Sequence, residues 1–188
     1  MTVDDELIQW AADLASSLLP PLGDRWLHVQ GVLKCACQVR EILPEDDRKY
    51  LLAAAYLHDI GYAPSLHQTG FHPLDGALYL RSLGYERLAS LVAHHSEARF
   101  EAQLRGYASA LEVFPRERSA VADALTYCDL TTGSLGEQVS FKERTREIVA
   151  RYGETDIVSQ ALRQSLPYLS LAVARTKRRL RHSGLLIH

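Results

Sequence analysis

Apolar residues recur every three or four positions along nearly the whole chain, and no stretch alternates convincingly with a period of two. The first spacing is typical of amphipathic helices, whereas the second would have indicated strands. The spacing predicts helices over residues 3–18, 24–42, 46–59, 73–83, 85–97, 116–131, 140–152 and 155–181. The sequence therefore predicts an all-α protein with about seven or eight helices.

Turn and breaker residues indicate how some of these helices begin and end. Asp24 and His72 are predicted N-caps, the latter because the proline after it is well tolerated at a first helical position. Pro167 is predicted to bend or split the last helix. The pattern indicates irregular structure in two segments, residues 61–71 and about 98–115.

Length and composition favour one soluble domain. A chain of 188 residues buries roughly two thirds of its unfolded surface, so it needs no disulfide or metal merely to fold. Its 47% apolar and 23% charged residues are ordinary for a globular protein. No change in composition and no internal repeat divides the chain, and residues 1–188 are predicted to form a single domain.

Neither a membrane span nor a secretory leader is predicted. The longest apolar stretch, near Leu51–Leu57, is far too short to cross a bilayer, and the acidic start of the chain is unlike a signal peptide. The three cysteines are interpreted as reduced thiols, because Cys35-x-Cys37 has no second cysteine pair to complete a zinc site. These features favour the cytoplasm and no membrane partner.

The C-terminal part of the chain is basic. Residues 157–188 contain no Asp or Glu, although the whole chain has a net charge of −2. The basic run at 174–182 is a candidate for contact with nucleic acid, but no aromatic residues interleave it. A solvated helix end, whose cations interact favourably with the helix dipole, is the favoured interpretation.

The eight histidines differ in the helical face on which they lie. Three histidines and one aspartate align with apolar residues three or four positions away, and they come from four different helices: His28, His58, His95 and Asp129. His94, by contrast, aligns with more polar positions. One such residue alone would most often be a hydrogen-bonded core residue. Four buried ionisable groups favour a divalent metal, since such groups are rare unless paired or metal-bound.

The motif that these residues form resembles the HD superfamily of metal-dependent phosphohydrolases. Its pattern H…HD…D is matched in order and spacing by His28, His58-Asp59 and Asp129, and the flanking stretches LHDIGY and ALTYCDLTTG are similar to those of the family. The resemblance covers roughly residues 24–133. It implies one helical HD-type domain, with a metal-site core over 24–133 and C-terminal helices over 140–181.

Two further histidines resemble the extended, dinuclear pattern of this family, H…HD…H…H…D. His72 opens a helix after the HD loop, and His95 precedes a serine, as the second added histidine usually precedes Ser or Thr. The resemblance implies one metal held by His28, His58, Asp59 and Asp129, and a second held by His72 and His95 with Asp59 bridging. The alternative is a single metal, with His72 as a helix cap and His95 as a substrate contact. Fe or Mn is the expected ion, with Zn, Ni and Co as alternatives.

The resemblance implies hydrolysis of a phosphate ester or anhydride, in a nucleotide or another small phosphorylated metabolite, by a metal-activated hydroxide. The sequence contains no nucleophile elbow or phosphate-binding glycine loop, and this chemistry needs neither. Asp59 and His94 are the candidate catalytic residues, His94 as a proton donor or else as a solvated neighbour. His67, Gln68 and Arg99 are candidate substrate contacts, with exposed surface as the alternative for each.

Two other functions stay open. Some proteins with the extended motif resemble mixed-valent diiron oxygenases that cleave C–C or C–P bonds with O₂, and the same six ligands serve them. A catalytically inactive HD fold that senses nucleotides is the non-enzyme alternative, which the intact motif disfavours.

Overall fold

The computed structural model describes residues 3–185, which form α-helices joined by short loops and 3₁₀ turns. No strand occurs in this range, although Thr132 and Gln138 form an isolated β-bridge. The all-α prediction is confirmed. The helices are α1 (Val3–Leu18), α2 (Asp24–Val39), α3 (Glu45–Leu57), α4 (His72–Ser82), α5 (Glu86–His94), α6 (Arg99–Arg105), α7 (Ala108–Glu112), α8 (Ala120–Leu130), α9 (Phe141–Tyr152) and α10 (Ile157–His182).

Residues 3–185 thus contain ten α-helices, more than the seven or eight predicted. The prediction of irregular structure over 98–115 was wrong, because α6 and α7 lie there. Gly106 ends α6 in the left-handed conformation, with φ +79°. Each of these helices buries a single residue, Ala102 in α6 and Leu111 in α7. One buried position per helix is too few for an apolar period to appear in the sequence.

Both predicted N-caps were also wrong. Helix α2 includes Asp24 as its first residue and is preceded by Gly23, and α4 includes His72 as its first residue and is preceded by Phe71. Pro73 therefore lies one position further inside α4 than predicted. A proline is tolerated there as well, because the N–H groups of the whole first turn have no acceptor within the helix.

Helix α10 continues through Pro167 from Ile157 to His182, so the proline does not split it. Leu162 and Leu169 on either side of the proline are buried in one small apolar cluster with Leu130. This cluster, formed by α10, α9 and the end of α8, is separate from the main core. The packing on both sides of Pro167 offsets the hydrogen bond that a proline removes from a helix.

Helix α3 lies at the centre of the main core. Its residues 51–55 and Leu57 are all buried, and it packs against α1, α2, α5 and α8. A helix covered on every side is apolar all round, which explains the run LLAAAYL before His58. The helices of residues 3–185 include none that is both long and apolar enough to span a membrane.

The chain that follows α3 approaches the start of α4 very closely at Gly61. A Cβ atom on Gly61 would lie 2.0 Å from the carbonyl oxygen of His72 and 2.7 Å from the nitrogen of Gly76. Buried Asp75 closes the intervening loop by accepting hydrogen bonds from the backbone N–H and the hydroxyl of Thr69. These contacts hold His72 beside the end of α3.

Candidate metal centre

The six residues predicted as metal ligands form two adjacent clusters. The first cluster contains His28 from α2, His58 from the end of α3 and Asp129 from α8; the second contains Asp59, His72 and His95. Within each cluster, one ligand atom from every residue lies within 4.8 Å of the others. Five of these side chains are buried and His72 is partly buried. The fold therefore brings together, in the core, candidate ligands that are far apart in the sequence.

Asp59 lies between the two clusters. Its Oδ1 is 3.4 Å from Nε2 of His72 and 4.0 Å from Nε2 of His95, whereas its Oδ2 is 3.5 Å from Nε2 of His58. The two carboxylate oxygens thus face different clusters. This is the arrangement that a carboxylate bridging two ions requires.

Backbone carbonyls orient three of the imidazoles. Each Nδ1 lies 2.7–3.0 Å from a carbonyl oxygen, in the pairs His28 with Gly133, His58 with Ala55, and His95 with Val92. A carbonyl only accepts hydrogen bonds, so Nδ1 carries the hydrogen and Nε2 of the neutral ring presents a lone pair. This is the tautomer in which histidine binds a metal through Nε2.

The lone pairs of His58 and His28 are poorly matched by donors. Nε2 of His58 is buried and makes no hydrogen bond with any described residue. Nε2 of His28 lies 3.1 Å from Oδ1 of Asp129, so an acceptor faces an acceptor, and the donor near it, Nη2 of Arg144, is 3.5 Å away. Such contacts are unfavourable in a buried site unless a cation or a proton lies between them. The donor set, neutral imidazole nitrogen with carboxylate oxygen, fits a divalent transition metal.

Burial and local charge shift the pKa values of these residues in the direction that metal binding needs. Burial lowers the pKa of His58 to about 4 and holds that of His72 well below its usual value. Burial raises the pKa of Asp59, but the positive charge of Arg25 and the nearby histidines outweigh it and bring that pKa well below its usual range. At neutral pH these imidazoles are uncharged and this carboxylate is ionised, the forms that bind metal.

Two arginines that the sequence analysis did not single out reach the clusters. Arg25 donates a hydrogen bond from Nη1 to Oδ2 of Asp59 at 2.7 Å. An Nη2 atom of Arg144 lies 3.5 Å from Nε2 of His28 and 3.9 Å from Oδ1 of Asp129. Arg25 stands one helical turn before His28, a spacing that could have identified it. Arg144 is on α9, and no local pattern in the sequence indicates that it reaches α2 and α8.

A strained turn follows α5 and brings Ser96 to the first cluster. Ser96 and Glu97 have φ values of +47° and +58°, a left-handed conformation that costs non-glycine residues about 1–3 kcal/mol each. The Ser96 hydroxyl donates a hydrogen bond to Oδ2 of Asp129. The turn therefore lets His95 serve the second cluster while the next residue holds the carboxylate of the first.

The other predicted site residues lie elsewhere. Nε2 of His94 is 2.8 Å from the carbonyl oxygen of Phe114. His94 and Arg99 line a second cleft of about 790 Å³, to which His95 and Glu97 also contribute. His67 and Gln68 are exposed, and His67 contacts the carbonyl oxygen of Tyr62 at 3.2 Å. None of these four residues is among those lining the cavity that reaches Asp59. Their roles in proton transfer and substrate binding stay predictions.

A small cavity of about 120 Å³ opens onto the metal-ligand residues. Asp59, His72, His95 and Asp129 line it, and so do Arg25, Arg144 and Arg151. Apolar residues of α8, α9 and α10 complete the lining. A bound molecule would therefore meet both charged groups and hydrocarbon.

A comparison with protein families matches residues 25–127 to the HD domain. The match covers more than half of the chain and includes five of the six candidate ligands, while Asp129 lies two residues beyond it. The chain therefore belongs to the HD-domain family, a superfamily of metal-dependent phosphohydrolases. No curated protein and no solved structure matched the chain.

Proposed function

We propose that the protein is a metal-dependent phosphohydrolase that cleaves an ester or anhydride of a small phosphorylated molecule. The observation that carries this proposal is the pair of His/Asp clusters joined by Asp59, with imidazole lone pairs directed at carboxylate oxygens in a buried site. In the proposed centre, His28, His58 and Asp129 hold one ion, His72 and His95 hold the other, and Asp59 bridges. Iron or manganese is the expected metal.

Two such ions, when bound, supply a hydroxide at neutral pH and positive charge opposite the phosphoryl oxygens. The protein's own residues prepare the site for that chemistry. Arg25 holds one carboxylate oxygen of Asp59 and its guanidinium lies over the ring of Tyr62, which in turn stacks on His72 at a centroid distance of 4.0 Å. Ser96 holds Asp129 from the other side. These contacts keep the ligands oriented before the substrate arrives.

The direct test is phosphate release by protein loaded with Mn²⁺ or with Fe²⁺ under nitrogen. Short alkyl phosphates, nucleoside monophosphates and nucleoside triphosphates form the substrate panel. We expect Asp59→Asn to lower kcat/KM by more than about a hundredfold, because even residues behind metal ligands contribute ten- to a hundredfold. His182→Ala, a change of an exposed histidine on α10, is the matched control and should leave the rate unchanged.

The same preparation distinguishes the alternative functions. Oxygen consumption coupled to substrate cleavage, without phosphate release from any ester, would identify a diiron oxygenase instead. A preparation that binds no transition metal and releases no phosphate after Mn²⁺ or Fe²⁺ is added would indicate an inactive HD-fold sensing module.

A further inference from the structure

The cavity beside the second cluster has a mixed lining, whose charged residues we term its charged wall and whose apolar residues we term its apolar wall. The charged wall contains Asp59, Asp129, Glu97, Glu101, Arg25, Arg144 and Arg151. Its apolar wall comes from the ends and faces of α8, α9 and α10: Leu130, Ile148, Val158, Ala161, Leu162 and Leu169. Most of the apolar wall belongs to the part of the chain beyond residue 127, where the family match ends. The wall is therefore a feature of this chain rather than of the matched motif.

The charged wall favours an anion. Two divalent ions would outweigh the negative charges of Asp59 and Asp129. The three arginines of the lining, Arg25, Arg144 and Arg151, outnumber its two glutamates, Glu97 and Glu101. Arg144 is only 4% exposed, and its Nε is buried with no hydrogen-bond partner among the described residues, although Glu147 pairs with its Nη1. A buried N–H group without an acceptor is unfavourable, and a phosphoryl oxygen is the acceptor that a guanidinium binds best.

The volume of the cavity limits the size of the part of the ligand that extends beyond the phosphate. Pockets that bury drug-sized molecules measure roughly 300–1,000 Å³, whereas this cavity measures about 120 Å³. A neighbouring opening of about 260 Å³ shares Arg25, Tyr62 and Arg151 with it. The other lining residues of that opening include Asp24, His28 and Ser134, so it suits the passage of charged species rather than an apolar group.

A larger cleft of about 790 Å³ shares His95 and Glu97 with the small cavity, but charged residues such as Arg116, Arg118 and Asp123 make up much of its lining. The small cavity, with its six apolar lining residues of α8, α9 and α10, is the better match for hydrocarbon.

We infer that the cavity selects a short-chain alkyl phosphate monoester over a nucleotide. The phosphate lies at the metal centre with Arg25 and Arg144, the short tail lies against the apolar wall, and Leu162 is a specificity-determining residue. This inference rests on the proposed function, because it places the phosphate of the substrate at the metal centre. It adds the substrate class and the residues that select it.

Binding tests the inference separately from turnover. The probes are n-alkylphosphonates of increasing length and adenosine 5′-monophosphate, titrated calorimetrically under nitrogen into the Mn²⁺-loaded protein. We expect affinity to rise about fourfold for each added methylene that the wall buries, and then to fall once the cavity is full. Adenosine 5′-monophosphate should bind at least about tenfold more weakly than the best phosphonate. An affinity independent of chain length, or tighter binding of the nucleotide, would overturn the inference.

Two variants of Leu162 move the selected length in opposite directions. Leu162→Ala enlarges the cavity and should shift the tightest-binding chain to a longer one, whereas Leu162→Phe should shift it to a shorter one. Leu171→Ala changes an exposed leucine of the same helix that lies outside this cavity, so it should leave the optimum in place. Identical length profiles for two folded Leu162 variants and the wild-type protein would contradict the assigned role. If Leu162→Ala does not fold, Ile148→Ala supplies the enlarged cavity.

Arg144→Gln tests binding of the phosphate group separately from binding of the alkyl tail. Loss of this charged donor should weaken binding of all phosphonates to the metal-loaded protein by about tenfold or more, without changing which chain length binds best. Arg146→Gln, an exposed arginine on the same helix, is the control and should change nothing. Unchanged affinity in folded, metal-loaded Arg144→Gln would refute phosphate binding by this residue.

Failure of this inference and failure of the proposed function give different results. If nucleotides are hydrolysed with a kcat/KM equal to or above that of short alkyl phosphates, the substrate class is wrong and the hydrolase stands. If phosphonates bind with the expected length dependence but no phosphate ester is cleaved, the cavity is assigned correctly and the hydrolase proposal fails.

Discussion

Each ligand of the centre depends on a neighbour that does not itself face the proposed ions. Arg25 is the clearest case, because its guanidinium donates to Asp59 at 2.7 Å and lies 4.2 Å from the centre of the Tyr62 ring. The Tyr62 ring in turn covers His72. One arginine thereby positions the bridging carboxylate directly and an imidazole of the second cluster through an aromatic ring. At the scale of single residues, the centre therefore includes Arg25 and Tyr62 in addition to its six candidate ligands.

Replacing Arg25 should weaken metal binding without unfolding the protein. Arg25→Gln removes a charged hydrogen bond from Asp59, and the loss of a group that orients a ligand typically costs ten- to a hundredfold in metal affinity. A competitive metal titration with a fluorescent chelator measures this effect. Arg40→Gln, an exposed change just after α2, is the control. Equal affinities of the two variants would show that Arg25 has no part in the centre.

The histidines of the metal-free protein should make its stability depend on pH. The pKa of His58 is about 4 in the folded chain and about 6.5 in an unfolded one. Between these pH values only the unfolded chain binds the proton on His58. The contribution of His58 to the free energy of unfolding is therefore fully present above pH 6.5 and is lost as the pH falls toward 4. The loss from His58 is roughly 3 kcal/mol. Urea unfolding of chelator-treated protein at several pH values measures it, and an equally steep loss in His58→Gln would contradict the assignment.

Helices and turns set the distances between the clusters. Gly61 is the point at which the loop after α3 meets α4, with no room for a methyl group beside the carbonyl of His72. The strained turn at Ser96 and Glu97 is a second tight backbone segment, and it directly follows His95 at the end of α5. Both elements bring a second-cluster histidine to Asp59. The geometry of the second cluster therefore depends on two tight backbone segments.

Gly61→Ala should affect the second cluster more than the first. The added Cβ must push α4 away from the end of α3, and overpacking of this kind costs about 1–3 kcal/mol. We expect the variant to keep the ion held by the first cluster and to lose most of the second, as measured by elemental analysis. Gly84→Ala introduces a backbone cost, since Gly84 has φ +84°, but has free space and lies between α4 and α5. If both variants lose metal equally, the loss reflects general destabilisation.

The features of these elements that could be predicted were those indicated by the spacing of nearby residues in the sequence. His28, His58, His95 and Asp129 were expected in the core because helical spacing is visible in the sequence, and all four are buried. The turn at Ser96 was not predicted, since serine is a rare choice for a left-handed conformation. Arg144 was not predicted either, because α9 reaches α2 and α8 only through tertiary packing. Sequence patterns therefore indicated the burial of the candidate ligands better than the groups that surround them.

At the scale of the whole molecule, two parts of the chain contribute residues to the site. The segment that matches the HD family supplies five of the six candidate ligands, and α9 and α10 supply Arg144 and most of the apolar wall. The second apolar cluster, of Leu130, Leu162 and Leu169, attaches these two helices to the end of α8. Because Leu162 and Leu169 also line the cavity, the same residues stabilise the fold and shape the site.

Metal should stabilise the whole domain, since its ligands come from helices that pack together only in the folded state. At a free metal concentration a hundred times the Kd, binding adds about 2.7 kcal/mol to the free energy of unfolding. We expect a higher Tm for Mn²⁺-loaded protein than for chelator-treated protein, and no such difference in a folded His28→Ala, Asp59→Asn double variant. A Tm that metal leaves unchanged in the wild-type protein would exclude a centre spanning these helices.

The most direct test of the account is the metal content of protein purified without added metal, measured beside a folded His95→Ala variant. A dinuclear centre predicts a stoichiometry near two transition-metal ions per chain, falling toward one in the variant, because His95 belongs to the second cluster alone. A stoichiometry of one that His95→Ala leaves unchanged would contradict the dinuclear centre. Absence of bound metal from both proteins, even after Mn²⁺ or Fe²⁺ is supplied, would contradict the metal centre altogether.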